Sequence, residues 1–348
     1  MIKLAIIGTG IRGGDQAENF DRIPGVKVIA CCDVDKKKVV QFAKTYNIPG
    51  VYTDYKQLLK TEDLDAVTVV TNDTTHAEIS IAAIKKGLHV LCEKPLATTA
   101  ADAWKMVRAA KKYKVVNMVD FAYRTASAVH KAKEIVASGR IGKVTHVEAS
   151  HLQSWLSSKI WGDWKKGTAW LWRLSTKCGS NGALGDIGCH ILDFTTYVAG
   201  DISRTSCQLK TFDKAGKKGV YKGYKLDAND SAILSLEFAN GGIGTLHVSR
   251  IASGHADSIS LRVFGTKGGI EIVLDEAWDK LKVCMGSDLD KCKWKTVSCG
   301  KCVKMYDRFI KSIKTGKNDN PTFEDGAKVQ TYIEKSFKSA KLKKPVKI

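Results

Sequence analysis

Two blocks of this sequence carry side chains that move protons and charge. Glu93-Lys94-Pro95 follows an apolar run, and a lysine at a strand end can stabilise negative charge developing on a substrate oxygen. Further on, Asn181-Gly182-Ala183-Leu184-Gly185-Asp186-Ile187-Gly188-Cys189-His190 sets a carboxylate four residues before an imidazole. On one helix, residues i and i+4 share a face, so Asp186 and His190 would project together. A carboxylate beside an imidazole orients it, raises its basicity, or holds a substrate hydroxyl next to it. A free imidazole titrates at about 6.5, which suits a general base at neutral pH. Each block also has a plain reading: a surface lysine among 56 basic residues, and an ordinary helix with one satisfied histidine.

A third element reads Gly8-Thr9-Gly10-Ile11-Arg12-Gly13-Gly14 directly after an apolar run at residues 2–7. In a strand-turn-helix unit these glycines let the backbone turn sharply and approach a pyrophosphate, while the helix N-terminus faces that anion. Asp33 ends the next apolar run, 20 residues after Gly13, where a carboxylate takes the ribose hydroxyls of a dinucleotide. Such a carboxylate accepts from both hydroxyls of NAD and repels a 2′-phosphate; Arg12 and nearby lysines soften that repulsion, so NADP remains possible.

The elements that must position these groups follow from periodicity. Apolar runs at residues 3–7, 26–32, 66–70, 89–92 and 115–119 alternate with helical patterns at 35–46, 75–86 and 99–112. This predicts a doubly wound parallel sheet over residues 1–122, with threonines 74–75 and 98–99 offering helix caps. Ligands in such sheets bind beyond the carboxyl ends of the strands, which is where Lys94 stands. After residue 122 the pattern changes to a helix at 128–138 and strand-like runs at 143–151, 205–211, 231–238, 243–251, 258–264 and 269–274. Glycine-rich hairpin turns at 240–242 and 266–269 join the later runs. Residues 123–348 therefore read as an α+β domain with a large, mostly antiparallel sheet and a terminal helix at 324–340.

Between the first two of these strands, Trp155, Trp161, Trp164, Trp170 and Trp172 supply five of the eight tryptophans. Apolar faces of sugar rings pack on aromatics and indole N–H donates to hydroxyls; loop anchoring or a subunit contact explains the cluster equally well. Trp172-Arg173 stands just before the Asp186 block and is the pair assigned to substrate.

Composition limits the alternatives. At 348 residues, 44% hydrophobic, two domains with real cores are expected. The first apolar residues belong to the strand and no run approaches a membrane span, so a soluble cytoplasmic protein is expected. The net charge of +20 is dispersed, without a nucleic-acid-binding motif, and reads as a lysine-rich surface. Ten scattered cysteines suggest reduced thiols. Cys299-Gly-Lys-Cys302, with Cys292 and Cys284, is compatible with a zinc site, a redox pair or chance, and no resident metal is assigned.

Taken together, the glycine turn, Asp33, Thr71 with His76, Glu93-Lys94-Pro95, and Gly182…Asp186…His190 resemble the glucose–fructose oxidoreductase/inositol dehydrogenase (Gfo/Idh/MocA) family of sugar oxidoreductases. Phe309-Ile-Lys-Ser-Ile-Lys-Thr-Gly and Asp325-Gly326 extend the resemblance over nearly the whole chain. One departure is Asn72, where the family often has proline after the threonine. The resemblance implies a Rossmann domain over 1–122 and a substrate-binding and oligomerisation domain over 123–348. It implies that the C-terminal helix packs back on the first domain. It implies NAD or NADP, held by Gly8, Thr9, Gly10, Ile11, Arg12, Gly13, Asp33, Thr71, His76, Glu93 and Lys94. It implies Lys94, Asp186 and His190 as the catalytic group, and Arg124, Trp172 and Arg173 beside them at the substrate. The expected activity is hydride transfer between a secondary hydroxyl of a sugar, glycoside or inositol and the nicotinamide, in a dimer or tetramer built on the second sheet. Two competing activities are an NAD-dependent glycosidase working by transient oxidation and a non-catalytic NAD-binding regulator; the intact Lys94, Asp186 and His190 argue against the second.

Overall fold

Ile2–Ile7 (β1) is apolar except at Lys3 and is buried along almost its whole length, as a strand covered on both faces requires. In the computed structural model, which describes residues 1–167, 170–216 and 219–348, the chain divides into two units. These are Met1–Ala122 with Lys304–Gln330, and Tyr123–Val303 with Thr331–Ile348.

The first unit runs from β1 through α1 (Ile11–Asp21), β2 (Val26–Cys32), α2 (Lys36–Tyr46), β3 (Gly50–Tyr52), α3 (Tyr55–Thr61) and β4 (Ala66–Val69). It continues with α4 (His76–Lys85), β5 (His89–Cys92), α5 (Ala100–Tyr113) and β6 (Asn117–Val119). The strands form one parallel sheet in the order β3-β2-β1-β4-β5-β6, so the order reverses at β1/β4. That reversal is where such sheets open a ligand crevice. The short β3 and α3 lie outside the expected elements; three strand residues are too few to show a period. Asp35 caps α2, accepting from the Lys37 and Lys38 N–H groups, and Thr99 caps α5, accepting from the Asp102 N–H at 3.1 Å. Thr75 does not cap α4: its hydroxyl donates to Thr71 Oγ1 and the Asn72 carbonyl instead.

The second unit begins with α6 (Ser127–Ala137) and β7 (Val144–Leu152). After the tryptophan loop come α7 (Gly182–Asp186), α8 (Gly188–Ala199), β8 (Ile202–Lys210) and a small hairpin, β9 (Val220–Tyr221) and β10 (Tyr224–Lys225). Then follow β11 (Ser231–Phe238), β12 (Ile243–Ser249), β13 (Ser258–Gly265), β14 (Gly268–Val273), β15 (Lys280–Met285) and β16 (Lys295–Ser298). With β17 (Val346–Lys347), the nine-stranded sheet has the order β16-β15-β14-β13-β7-β12-β11-β8-β17 and is antiparallel except for the β7–β12 pair. Along β11 burial alternates strictly, so one face of the sheet is covered and the other exposed. Helix α8 packs across β7, β12 and β13. Thr168 and Ala169 of the tryptophan loop lie outside the described residues.

The chain then returns to the first unit as α9 (Met305–Thr315), whose Phe309 and Ile310 enter the core with Leu4, Phe20 and Phe42. Residues 304–330, expected with the second domain, thus pack with the first because α9 is strongly amphipathic and its apolar stripe completes that core. Helix α10 (Phe323–Leu342) gives its first part, to Gln330, to the first unit. β17 (Val346–Lys347) closes the second sheet on β8.

Candidate functional site

In the first unit Gly8 and Gly13 are needed for space. Gly8 has φ +109, and a Cβ there would lie 2.4 Å from the Val70 carbonyl oxygen. A Cβ on Gly13 would lie 2.4 Å from the Gly8 carbonyl oxygen. A Cβ on Gly10 would meet no atom within 4 Å, so this residue keeps the turn low where a pyrophosphate approaches. No side chain caps α1, which leaves its first N–H groups for an anion. Beside the turn lies a groove of about 610 Å³ whose lining includes Thr9, Gly10, Ile11, Lys37, Lys38 and Gln41.

Asp33 stands directly after β2. One carboxylate oxygen accepts from the Thr9 N–H (2.9 Å) and hydroxyl (2.8 Å), the other from the Asp35 N–H (3.0 Å). Burial pushes its pKa up, but the donors from Asp35 and Thr9 hold it below the usual carboxylate range. The acid is therefore ionised and fixed against the glycine turn. These residues fit a dinucleotide: a cradle that admits backbone contact, free helix N–H groups and an oriented acid.

Arg12, Glu93 and three residues the sequence reading missed form a cluster behind the turn. Glu93 accepts from Gln16 Nε2 (3.3 Å), Arg12 Nε (3.4 Å) and the Lys94 N–H (3.2 Å). Gln16 also donates to Asp120 (3.3 Å), as does the Tyr306 hydroxyl from α9 (3.3 Å), while Arg12 Nη2 stands 3.6 Å away. Burial and then the neighbouring Glu93 push the Asp120 carboxyl up to about 7. Only position hinted at Asp120, as the first polar residue after an apolar run. His76 is fully buried, with Nδ1 2.9 Å from the Pro95 carbonyl oxygen and Nε2 3.1 Å from that of Thr71. Lys94 itself is partly exposed.

In the second unit the expected single helix is two. The chain breaks at Ile187, so Asp186 ends α7 and His190 lies in the first turn of α8. The two residues do not sit one turn apart on a continuous helix face. Each Asp186 oxygen accepts from a guanidinium: Arg173 Nη1 at 2.9 Å and Arg250 Nη2 at 2.8 Å. Arg250 is fully buried and also donates to the Arg173 and Gly182 carbonyls. Arg173 lies against the rings of Trp170 (5.2 Å) and Trp172 (4.9 Å). Trp155 and Trp164 are buried with Leu171, Leu174 and Leu226, so they anchor the loop; Trp161 is exposed.

His190 is nearly buried. The Tyr123 ring meets it edge-on at 4.8 Å, and His151 lies 6.1 Å away. His151 has Nε2 2.8 Å from an Asp257 oxygen and Nδ1 3.1 Å from the Ile187 carbonyl oxygen, and Gln153 (2.6 Å) and the Tyr123 hydroxyl donate to Asp257. Burial raises the Asp257 carboxyl, but these donors outweigh it and hold the group at about 2. Tyr123, His151, Gln153, Arg250 and Asp257 were not found from the sequence; His151-Leu152-Gln153 at the end of β7 was the available signal. Arg124, expected at the substrate, is 2% exposed. It makes a bidentate pair with Asp193 at 2.7 and 2.8 Å, beneath the Tyr197 ring.

The described residues include all ten cysteines, and none of them is in a disulfide. Among the described residues no group of three or more His, Cys, Asp or Glu side chains could hold a metal ion. Cys302 Sγ accepts from the Ser127 N–H at 3.5 Å, Cys284 donates to the Asp288 carbonyl, and Cys292 is exposed. Among the described residues, no helix is long and apolar enough to cross a membrane.

Residues 2–121 match the model of an oxidoreductase family with an NAD-binding Rossmann fold, and residues 129–271 that of the GFO/IDH/MocA C-terminal domain. Levoglucosan dehydrogenase of Pseudarthrobacter phenanthrenivorans is 29% identical, over 91% of this chain and 88% of its own. Myo-inositol 2-dehydrogenase of Thermotoga maritima is 26% identical, over 100% and 98%. Among solved structures, levoglucosan dehydrogenase in complex with NADH and levoglucosan superposes with a TM-score of 0.88 at 25% identity, covering 100% of this chain and 99% of that one. An oxidoreductase domain protein from Kribbella flavida gives 0.89 at 28% identity, with the same coverage. A glycine cradle with a fixed acid in one unit, a buried imidazole over an open sheet in the other, and both family models in register make this chain a member of the Gfo/Idh/MocA family of NAD-binding oxidoreductases.

Proposed function

We propose that this oxidoreductase oxidises, or forms by reduction, a secondary alcohol on a sugar, glycoside or cyclitol, with the first unit holding NAD and the second the substrate. The observation that carries the reading is that one chain supplies a dinucleotide cradle ending β1, a lysine beyond β5, and a histidine at the start of α8 set against an aromatic and carboxylate network. The levoglucosan and myo-inositol specificities of its relatives support a polyhydroxylated ring.

The bound nicotinamide supplies the hydride acceptor or donor. His190 takes the alcohol proton as the hydride leaves. Its ring is held by packing against Tyr123, which limits it to few orientations. The Lys94 ammonium hydrogen-bonds the substrate oxygen and stabilises its developing charge. Asp186, each of whose oxygens receives a guanidinium, acts chiefly by fixing Arg173 in place. Arg124 supports the site from beneath through Asp193.

The ten cysteines, scattered through core strands and loops without the spacing of a disulfide framework, support a reducing, cytoplasmic location. The exposed sheet face, which carries Ile233 and Ile243 at 59% and 57% exposure, supports a homodimer or homotetramer. A panel of sugars, glycosides and inositols with NAD⁺ and NADP⁺, followed at the nicotinamide absorbance, tests the function. Rings should turn over best; short aliphatic alcohols or hydroxy acids outperforming every ring would sink the assignment. Light scattering tests the assembly.

A further inference from the structure

Carbonyl oxygens only accept hydrogen bonds, and both nitrogens of the His76 ring face one: Pro95 at 2.9 Å and Thr71 at 3.1 Å. Satisfying both requires two ring N–H groups. The two carbonyls belong to different turns, Thr71 to the one after β4 and Pro95 to the one after β5. Pro95 adjoins Lys94, so the ring bonds the residue next to Lys94 through one nitrogen and the neighbouring strand's turn through the other.

We infer that His76 is a positioning residue for the hydride-transfer reaction: a doubly donating ring that clasps the Thr71 and Pro95 carbonyls and so fixes the turn carrying Lys94. The inference rests on the reading of Lys94 as the group that acts on the substrate oxygen. His76 touches neither cofactor nor substrate in this role; with no exposed surface it acts through the backbone.

The ring's surroundings bear on its charge. The titratable groups around it are Cys92 from β5 and Asp73 from the turn before α4. Burial works against a cation, as does the N-terminus of α4, whose first residue is His76. Cys92, Asp73 and the Pro95 carbonyl work for it and prevail, raising the ring's pKa to about 10. A doubly protonated ring cannot be replaced by an amide without loss, because glutamine carries its donors on a single nitrogen and cannot bridge two carbonyls on opposite sides.

The test combines nitrogen-15 histidine NMR on the intact protein with kinetics of H76Q. The His76 ring, identified as the histidine signal that vanishes in H76Q, should be protonated on both ring nitrogens up to pH 8. A ring that is neutral at pH 7 would overturn the inference, and this readout needs no variant to be active. In H76Q, kcat should fall by about tenfold or more, since small misplacement of a catalytic group costs up to ~10²-fold. The Kd for NADH, from nicotinamide fluorescence, should stay within about threefold, because the ring holds Lys94's turn rather than the cofactor. Unchanged kcat, or an NADH affinity that drops as far as kcat, overturns it. If instead K94A keeps wild-type kcat, the role of Lys94 fails while the NMR result stands.

Discussion

Asp186 and Arg250 form an ion pair of 2.8 Å in which the arginine has no exposed surface and the carboxylate is one-fifth exposed. The second carboxylate oxygen is taken by Arg173 at 2.9 Å. Burial, and then the neighbouring Arg173, lower the Arg250 pKa, and Asp186 counters this only in part. D186N keeps the shape and removes the charge, leaving a buried guanidinium without its counterion, a change that typically costs about 3–5 kcal/mol. The melting temperature should therefore drop by roughly 6–20 °C, at about 2–4 °C per kcal/mol for a domain of this size. Thermal unfolding followed by circular dichroism checks this. A melt within about 2 °C of wild type would show that Asp186 is not what keeps Arg250 folded in.

Cofactor choice should follow Asp33. Its ionised carboxylate is fixed by Thr9 and Asp35, so a 2′-phosphate would face a charge that cannot rotate away. NAD⁺ should have the higher kcat/KM. D33A should weaken NAD⁺ by about tenfold, the loss of a charged hydrogen bond at ~1.5 kcal/mol, and narrow the gap to NADP⁺. Lys37 and Lys38 on the groove then help the phosphate. Steady-state kinetics with both cofactors decides; a wild-type preference for NADP⁺ would refute it.

Removing His190 should slow chemistry without loosening the fold or the cofactor. H190A is expected to lose about 10²–10⁴ in kcat, as for a positioned general base. K94A should lose about 10²–10³, as for an electrostatic stabiliser. NADH affinity in H190A, measured by fluorescence titration, should match wild type. If H190A keeps more than about a third of wild-type kcat, far above the rate expected without a base, proton transfer belongs to Lys94 instead.

The sequence made some of this legible and hid the rest for a physical reason. The glycine turn, Asp33 and Lys94 each lie at a fixed offset from an apolar run, so local spacing reveals them. The partners of the site residues do not. Arg250 meets Asp186 across 64 residues, Asp257 meets His151 across 106 and Tyr306 meets Asp120 across 186. Sheet register and the return of α9 set those pairings, and no local period encodes either. The helix break at Ile187 was hidden because the Gly185–Gly188 stretch reads as continuous helix when only i, i+4 spacing is counted. Arg124 was assigned to substrate through the family resemblance; its burial on Asp193, 69 residues away, becomes visible only in the fold.

The buried acid pair gives the first unit a pH signature. Asp120 is pushed up to about 7, first by burial and then by Glu93, while an unfolded-chain aspartate titrates at about 3.9. Between those values the folded chain holds a proton on Asp120 that the unfolded chain has lost. Stability rises with pH only where the unfolded state binds more protons, so here Asp120 makes stability fall as pH rises from about 4 to about 7, and level off above. Other groups pull the opposite way, Asp257 among them, so the signature is read as a difference between proteins. D120N removes the titration and keeps an acceptor for Gln16 and Tyr306. The melting temperature of D120N relative to wild type should become more favourable from pH 5 to pH 8, with most of the change below pH 7. Melts at both pH values in one ionic strength check it. A difference that stays constant across that range would mean Asp120 is ionised throughout, paired with Arg12 rather than protonated against Glu93.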